Sequence, residues 1–130
     1  MGFIQRVRTG KVAFVLSGGG NLGAIQVGML RALVERGIRA DMVLGCSVGA
    51  LNGAAYAADP TPEGIRRLEA LWMGIDDDEV MPSGWIPTQV MLARRRPAVH
   101  DNAGLRALVS QALGVERFED LRVPFQCFST

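Results

Sequence analysis

The sequence has few of the residues that mark several common protein classes. Its 130 residues include two cysteines, Cys46 and Cys127, and a single histidine. Two cysteines inside apolar runs are too few for a disulfide-stapled secreted scaffold, so we expect a reducing, cytoplasmic location. Histidine, cysteine and carboxylate residues show no metal-ligand spacing, and no metal or cofactor is expected.

The sequence also lacks an excess of charge and a long apolar run. Fourteen basic and thirteen acidic residues give a formal net charge of +1, which is too balanced for the phosphate contacts that nucleic-acid binding needs. No apolar run approaches the roughly 18 residues of a membrane span. Nucleic-acid partners are therefore not expected, and any membrane contact would be peripheral.

Glycine is the residue in excess, at 16 of 130 positions, or about 12% against a usual 7%. A run of buried-strand character at Val12–Leu16 leads into a glycine loop and then a helical pattern at Ala24–Arg36. A second short strand at Met42–Leu44 leads into a tight turn and a helix of small side chains at Ala50–Ala58. These alternating elements predict a βαβ arrangement.

The rest of the chain continues the same pattern. Thr61 is the expected N-cap of a third helix, Leu105–Leu113 predicts another helix, and Val123–Phe128 predicts a buried strand. We expect residues 1–11 to be an amino-terminal extension and residues 74–102 to be a mobile cover of a domain over residues 12–130. The predicted fold is a three-layer α/β/α arrangement with a mainly parallel sheet.

The turn after the second strand matches the G-x-S-x-G pattern of a nucleophile elbow. Ser47 is its serine, and Gly45 and Gly49 occupy the positions where a side chain would collide with the neighbouring strand and helix. With a strand before it and a helix after it, Ser47 is a candidate nucleophile. The alternative is that its hydroxyl only caps the following helix.

The first glycine loop is a candidate oxyanion hole. The unhindered amides of Gly18, Gly19 and Gly20 lie between the first strand and the first helix, where the helix dipole favours negative charge. Parallel strands would bring this loop beside the candidate nucleophile. The alternative is that the loop is rich in glycine only because it packs tightly.

The same loop also matches G-x-G-x-x-G, the dinucleotide-binding pattern. That fold requires an acidic residue at the end of the second strand, whereas Asp41 precedes this strand. The dinucleotide interpretation is therefore disfavoured.

Taken together, these motifs resemble those of the patatin-like phospholipases. The resemblance lies in SGGGNLGA after the first strand, the helix QVGMLRALVERGI, and GCSVGALNGA after the second strand. It implies a patatin-like fold and a serine hydrolase that cleaves lipid acyl esters with a Ser-Asp dyad. By that resemblance Ser47 is the nucleophile and the amides of Gly18–Gly20 form the oxyanion hole.

The sequence departs from the family pattern in two places. Leu22 stands where the family often has a basic residue, and there is no Asp-Gly pair of the kind that carries the dyad aspartate. The expected base is therefore not in this chain, which would be an incomplete, amino-terminal part of the domain. His100 and Asp101 are expected to be cover and capping residues rather than substitutes for the base.

These expectations leave several functions open. The same elbow serves acyltransferases and thioesterases, and a domain without its base is also consistent with a catalytically inactive module. The expected partner is a lipid or acyl-ester substrate. An incomplete sheet would in addition leave a strand edge through which chains could associate.

Overall fold

The structure is a computed structural model, and it describes residues 10–74 and 103–128. Most of the predicted extension at residues 1–11 and nearly all of the predicted cover at residues 74–102 lie outside the described residues.

Three parallel strands form the sheet, in the order β1-β2-β3. Their bounds are Ala13–Leu16 for β1, Met42–Cys46 for β2 and Phe125–Phe128 for β3. Leu16 pairs with Gly45 at the carboxyl ends of the first two strands. The loop after β1 and the turn after β2 therefore leave the sheet at the same edge.

Helices follow the strands where the sequence pattern predicts them. They are α1 (Gly23–Glu35), α2 (Val48–Ala58), α3 (Pro62–Met73) and α4 (Ala103–Leu113), with short 3-10 turns at Gly20–Leu22 and Phe118–Asp120. The predicted capping of α3 is confirmed, because the amide of Gly64 donates to Thr61 Oγ1 at 3.1 Å. Gly37, at φ 70°, ends α1 as expected.

The core lies between the sheet and α2. The small residues of α2 allow close contact: a Cβ placed on Gly53 would be 3.0 Å from Val43 Cγ1. The rings of Phe14 and Tyr56 lie 5.2 Å apart, and the Tyr56 hydroxyl accepts a hydrogen bond from the amide of Ala40 at 3.1 Å. This packing fixes the axis of α2, and therefore its first turn, relative to the strands.

The prediction of an α/β fold with a mainly parallel sheet is confirmed. In the described ranges the helices pack in one cluster with the face that carries Phe14 and Leu16. The prediction that the first and last strands are buried is wrong in part. Val15 points to the other face of β1 and is 73% exposed, and three of the four residues of β3 are exposed, because the described helices cover one face of the sheet. The second helical layer of the predicted three-layer arrangement is not among the described residues.

Candidate active site

Ser47 has an unusual backbone conformation in the turn between β2 and α2. It has φ 52° and ψ −127°, and it is the one non-glycine residue with positive φ in residues 10–74 and 103–128. A residue with a Cβ in such a region costs about 1–3 kcal/mol, a strain that is concentrated at functional sites. The side chain is exposed at the carboxyl edge of the sheet.

The capping interpretation of Ser47 is wrong. Its hydroxyl makes no capping hydrogen bond to α2. Instead, its carbonyl oxygen accepts from the amides of Ala50 at 2.8 Å and Leu51 at 3.3 Å. The backbone of Ser47 begins the helix, while its hydroxyl stays outside it.

Gly45 and Gly49 make this turn sterically feasible. A Cβ on Gly45 would lie 2.5 Å from both Ala50 Cα and the carbonyl oxygen of Gly49. A Cβ on Gly49 would collide with the carbonyl oxygen of Leu16 and lie 2.5 Å from that of Ser17. The absence of both side chains therefore allows α2 to begin directly against the end of β1.

The glycine loop lies beside Ser47. A Cβ on Gly18 would be 3.3 Å from Ser47 Cβ and 3.9 Å from Ser47 Oγ. Gly20 has φ 56° and begins the 3-10 turn that leads into α1. Among the described backbone hydrogen bonds, none is donated by the amides of Gly18, Gly19 or Gly20. These amides stand at the positive end of the dipole of α1.

Asp59 lies far from this site. It follows the last residue of α2, whereas Ser47 precedes the first, and an 11-residue helix is about 16 Å long. Its carboxylate forms ion pairs with Arg67 and with Arg122, the latter at 3.2 Å, and accepts a hydrogen bond from Thr61 Oγ1 at 2.9 Å. This placement excludes Asp59 as a base for Ser47 in this conformation.

These partners also govern the ionisation of Asp59. Burial alone would raise its pKa, but the hydrogen bond from Thr61 and the ion pairs with Arg67 and Arg122 outweigh burial and hold the pKa below its usual value. The carboxylate is therefore a structural anchor at the far end of α2.

Asp41 is at the wrong end of β2 for ribose binding, as expected from the sequence. Asp41 Oδ2 accepts a hydrogen bond from the amide of Val12 at 2.7 Å. Both residues precede their strands, so the carboxylate lies at the amino edge of the sheet, opposite the glycine loop. The geometry therefore gives the dinucleotide interpretation no support.

Sequence reasoning missed a set of polar side chains behind the loop. Asn52 of α2 is fully buried and hydrogen-bonded to Gln26 of α1 and Trp72 of α3. The sequence pattern predicts α2 as a helix of small residues, in which Asn52 does not stand out. An asparagine within an otherwise small, apolar helix that packs on a sheet was the available signal, because a buried amide requires partners.

The described residues contain few other groups that could react or bind a metal. Cys46 and Cys127 are free and exposed. Within residues 10–74 and 103–128, no group of three or more histidine, cysteine or carboxylate side chains could hold a metal ion. No helix in those same ranges is long and apolar enough to cross a membrane. His100 and Asp101 lie outside the described residues.

With this geometry established, comparison with known proteins identifies the family. The sequence profile described as patatin-like phospholipase matches residues 14–129, which include the glycine loop, Ser47, β2, β3 and all of β1 except Ala13. The chain belongs to the patatin-like phospholipase family. The resemblance noted from the motifs is confirmed, and the patatin-like chain therefore belongs to a family of lipid acyl hydrolases.

Several curated relatives are similar to this patatin-like chain. Patatin-like phospholipase domain-containing protein 7 of Rattus norvegicus is 34% identical over 128 residues, 98% of this chain and 9% of that protein. Lysophospholipase nte1 of Aspergillus terreus is 54% identical over 48 residues, 37% of this chain and 3% of that protein. Neuropathy target esterase sws of Drosophila persimilis is 28% identical over 119 residues, 92% of this chain and 8% of that protein.

The chain spans less than a tenth of the length of these relatives. No solved structure is significantly similar to it.

Proposed function

We propose that the chain is the nucleophile-bearing part of a serine hydrolase that cleaves acyl esters of lipids. Ser47 is the nucleophile, and amides of the loop Gly18–Gly20 stabilise the oxyanion. The base is the aspartate of a Ser-Asp dyad, contributed by sequence outside this chain. The substrate class follows from the family, whose relatives carry the names phospholipase, lysophospholipase and esterase.

The observation that carries the proposal is the backbone of Ser47 together with its position beside Gly18. The hydroxyl of this strained, exposed serine does not cap α2, so capping does not explain why a serine stands here. The glycine loop lies close to the Ser47 hydroxyl, and in the described residues its amides donate no backbone hydrogen bond in a turn or loop. A nucleophile and donors for a developing negative charge are the two groups that acyl transfer requires.

The chemistry follows from these positions. The base takes the hydroxyl proton of Ser47 as Oγ forms a bond to the ester carbonyl carbon. The carbonyl oxygen becomes an oxyanion, which the loop amides stabilise. The alcohol part of the lipid then leaves with the proton, and the acyl group stays on Ser47. Water, deprotonated by the same base, attacks the acyl-serine, releasing the fatty acid and restoring the hydroxyl.

Whether the isolated chain is active depends on whether it contains the base. A serine without a base stays protonated and is a weak nucleophile. Since the sequence contains no Asp-Gly pair, we expect the 130-residue chain alone to be nearly inactive. The same chain, extended by the sequence of its parent protein that carries the dyad aspartate, is expected to be active.

The test uses a fluorophosphonate probe and a short p-nitrophenyl ester on the extended protein. We expect the probe to label Ser47, and Ser47→Ala to abolish both labelling and ester turnover. Ser110→Ala is the matched control, because Ser110 is an exposed serine of α4. Turnover that is unchanged in Ser47→Ala would refute the proposal.

Hydrolysis and acyl transfer share the acyl-serine and differ only in the acceptor that removes the acyl group. We propose water as the acceptor, because the relatives named lysophospholipase and esterase carry the names of hydrolases. A lysophospholipid incubated with the extended protein should release free fatty acid; acyl transfer to an added alcohol or thiol in preference to water would favour the transferase alternative.

A further inference from the structure

Asn52 carries a fully buried side-chain amide in the described part of the fold. It lies five residues after Ser47 on α2, less than two helical turns from the nucleophile. Burial of an amide is unfavourable unless each of its polar atoms is hydrogen-bonded. The partners of Asn52 therefore indicate what the residue does.

Every polar atom of the Asn52 amide is bonded. Nδ2 donates to the carbonyl oxygen of Gly23 at 2.9 Å and to Gln26 Oε1 at 3.0 Å. Oδ1 accepts from the indole Nε1 of Trp72 at 2.9 Å. The indole can only donate, so Oδ1 must face Trp72, and this fixes the orientation of the amide. Both protons of Nδ2 are consequently directed at α1.

Gln26 extends the same hydrogen-bonded series to the glycine loop. Its Oε1 accepts from Asn52, and its Nε2 donates to the carbonyl oxygen of Ser17 at 2.7 Å. The series thus runs in a single direction, from the indole of Trp72 through Asn52 and Gln26 to Ser17. It links α3, α2 and α1 to the residue before the loop.

The carbonyl of Ser17 belongs to the same peptide unit as the amide of Gly18. A peptide unit is planar, and in its trans form the C=O and N–H bonds point in opposite directions. Gln26 therefore holds the plane in which the Gly18 N–H lies, and directs that N–H away from α1. Asn52 also bonds the carbonyl oxygen of Gly23, the first residue of α1 and the point where the chain leaves the glycine loop and its 3-10 turn.

We propose that Gln26 and Asn52 are positioning residues that set the orientation of the oxyanion-hole amides relative to the nucleophile. The inference rests on the proposed function, since it assigns these residues to the same acyl-transfer site. Asn52 lies on α2, the helix that begins directly after Ser47, and it reaches the loop through Gln26, which bonds Ser17. The helix that follows the nucleophile and the peptide that carries the Gly18 N–H are therefore connected by one hydrogen-bonded series.

A purely structural function would predict different behaviour on mutation. A residue that only provides a hydrogen-bond partner for a buried polar group changes the stability of the protein when it is mutated. It leaves the rate of the chemical step in the folded enzyme unchanged. A residue that orients the Gly18 amide affects the transition state, where charge develops on the carbonyl oxygen, more than substrate binding. The distinguishing quantity is therefore kcat, compared with KM and with the melting temperature.

The test variant is Gln26→Met in the extended protein, because Met has a similar length but cannot donate to Ser17. Gln26 is only half-buried, so the folded state should tolerate this change. Removal of a whole oxyanion donor lowers kcat roughly 100- to 1000-fold, so an N–H that stays but is misdirected should lower it less, about tenfold. We expect KM within about twofold of wild type, since uniform binding is unaffected. Gln111→Met, at an exposed glutamine of α4, is the matched control.

Trp72→Phe is the second variant, and it tests the positioning inference if Gln26→Met does not fold. It keeps an aromatic ring in place and removes the N–H that orients the Asn52 amide. We expect a loss of kcat in the same direction as for Gln26→Met, without a rise in KM. The rate of fluorophosphonate labelling should fall in parallel, because phosphonylation also develops charge on an oxygen in the hole.

The outcomes separate this inference from the proposed function. If Ser47→Ala abolishes activity but the folded Gln26→Met and Trp72→Phe variants keep the kcat of Gln111→Met, the positioning inference is wrong and the proposed function stands. A loss confined to KM or to the melting temperature would also overturn the inference. If Ser47→Ala remains active, the proposed function fails, and the inference fails with it.

Discussion

Replacing Ser47 with glycine should give a more stable protein than replacing it with alanine. Both substitutions remove the hydroxyl, and neither breaks a capping hydrogen bond, because Ser47 makes none. Only glycine adopts φ 52° and ψ −127° without the steric strain of a Cβ. The comparison of the two variants therefore isolates the backbone strain from the loss of the side chain.

The expected magnitude follows from two opposing effects. Relief of the strain favours the glycine variant by about 1–3 kcal/mol. The greater freedom of glycine in the unfolded chain opposes it by about 0.5–1 kcal/mol. The net expectation is that Ser47→Gly is more stable than Ser47→Ala by up to about 2.5 kcal/mol. Urea denaturation of both variants, with equal m-values, measures the difference.

The sign of this difference is the critical result. At an ordinary helical position the same pair of substitutions has the opposite order, with glycine about 1 kcal/mol less stable than alanine. Ser110 within α4 provides that control, as Ser110→Gly against Ser110→Ala. If Ser47→Gly is less stable than Ser47→Ala by a similar amount, Ser47 has no positive φ in solution and the elbow geometry is wrong.

Two further predictions concern the supports of the site. Gly49→Ala places a Cβ against the carbonyl oxygen of Leu16, and we expect it to destabilise the protein by about 1–3 kcal/mol and to slow the labelling of Ser47. Denaturation measures the stability, and the fluorophosphonate probe measures the labelling rate. Wild-type values for both would contradict the packing argument. Because its partners hold the pKa of Asp59 down in the folded state, the stability that Asp59 contributes is present above the usual aspartate range and is lost as pH falls through the lowered pKa. Asp59→Asn should therefore be less stable than wild type at neutral pH, with a difference that narrows on acidification; denaturation curves from about pH 7 to about pH 3 test this, and a difference that widens in acid would refute it.

Much of the fold followed from local patterns. The strands, the helices and the capping of α3 by Thr61 were predicted to within a few residues, because each depends on periodicity, side-chain shape and turn chemistry over a short stretch. The observed bounds of the helices and strands differ from the predicted ones by a few residues at some of their ends. For example, α2 begins at Val48 rather than Ala50, since the carbonyl of Ser47 already accepts helical hydrogen bonds.

The candidate site was predictable in part for the same reason. Gly45, Ser47 and Gly49 form a contiguous motif whose steric demands can be read from the sequence, and the parallel pairing of β1 with β2 brings Gly18 beside Ser47. Whether the Ser47 hydroxyl caps α2 could not be predicted from the sequence, because a serine before a helix can either cap it or leave its hydroxyl free.

The amino-acid sequence by itself determined the order of the elements and the sharp turn at Ser47, because glycine placement and apolar spacing act on neighbouring residues. Only the tertiary structure decided that Asn52, Gln26 and Trp72 form one hydrogen-bonded series and that Asp59 pairs with Arg67 and Arg122. These partners come from different elements, and in the cases of Trp72 and Arg122 they lie 20 or more positions away in the chain. Hydrogen bonds and ion pairs require contact in space, which only the packing of the helices on the sheet establishes.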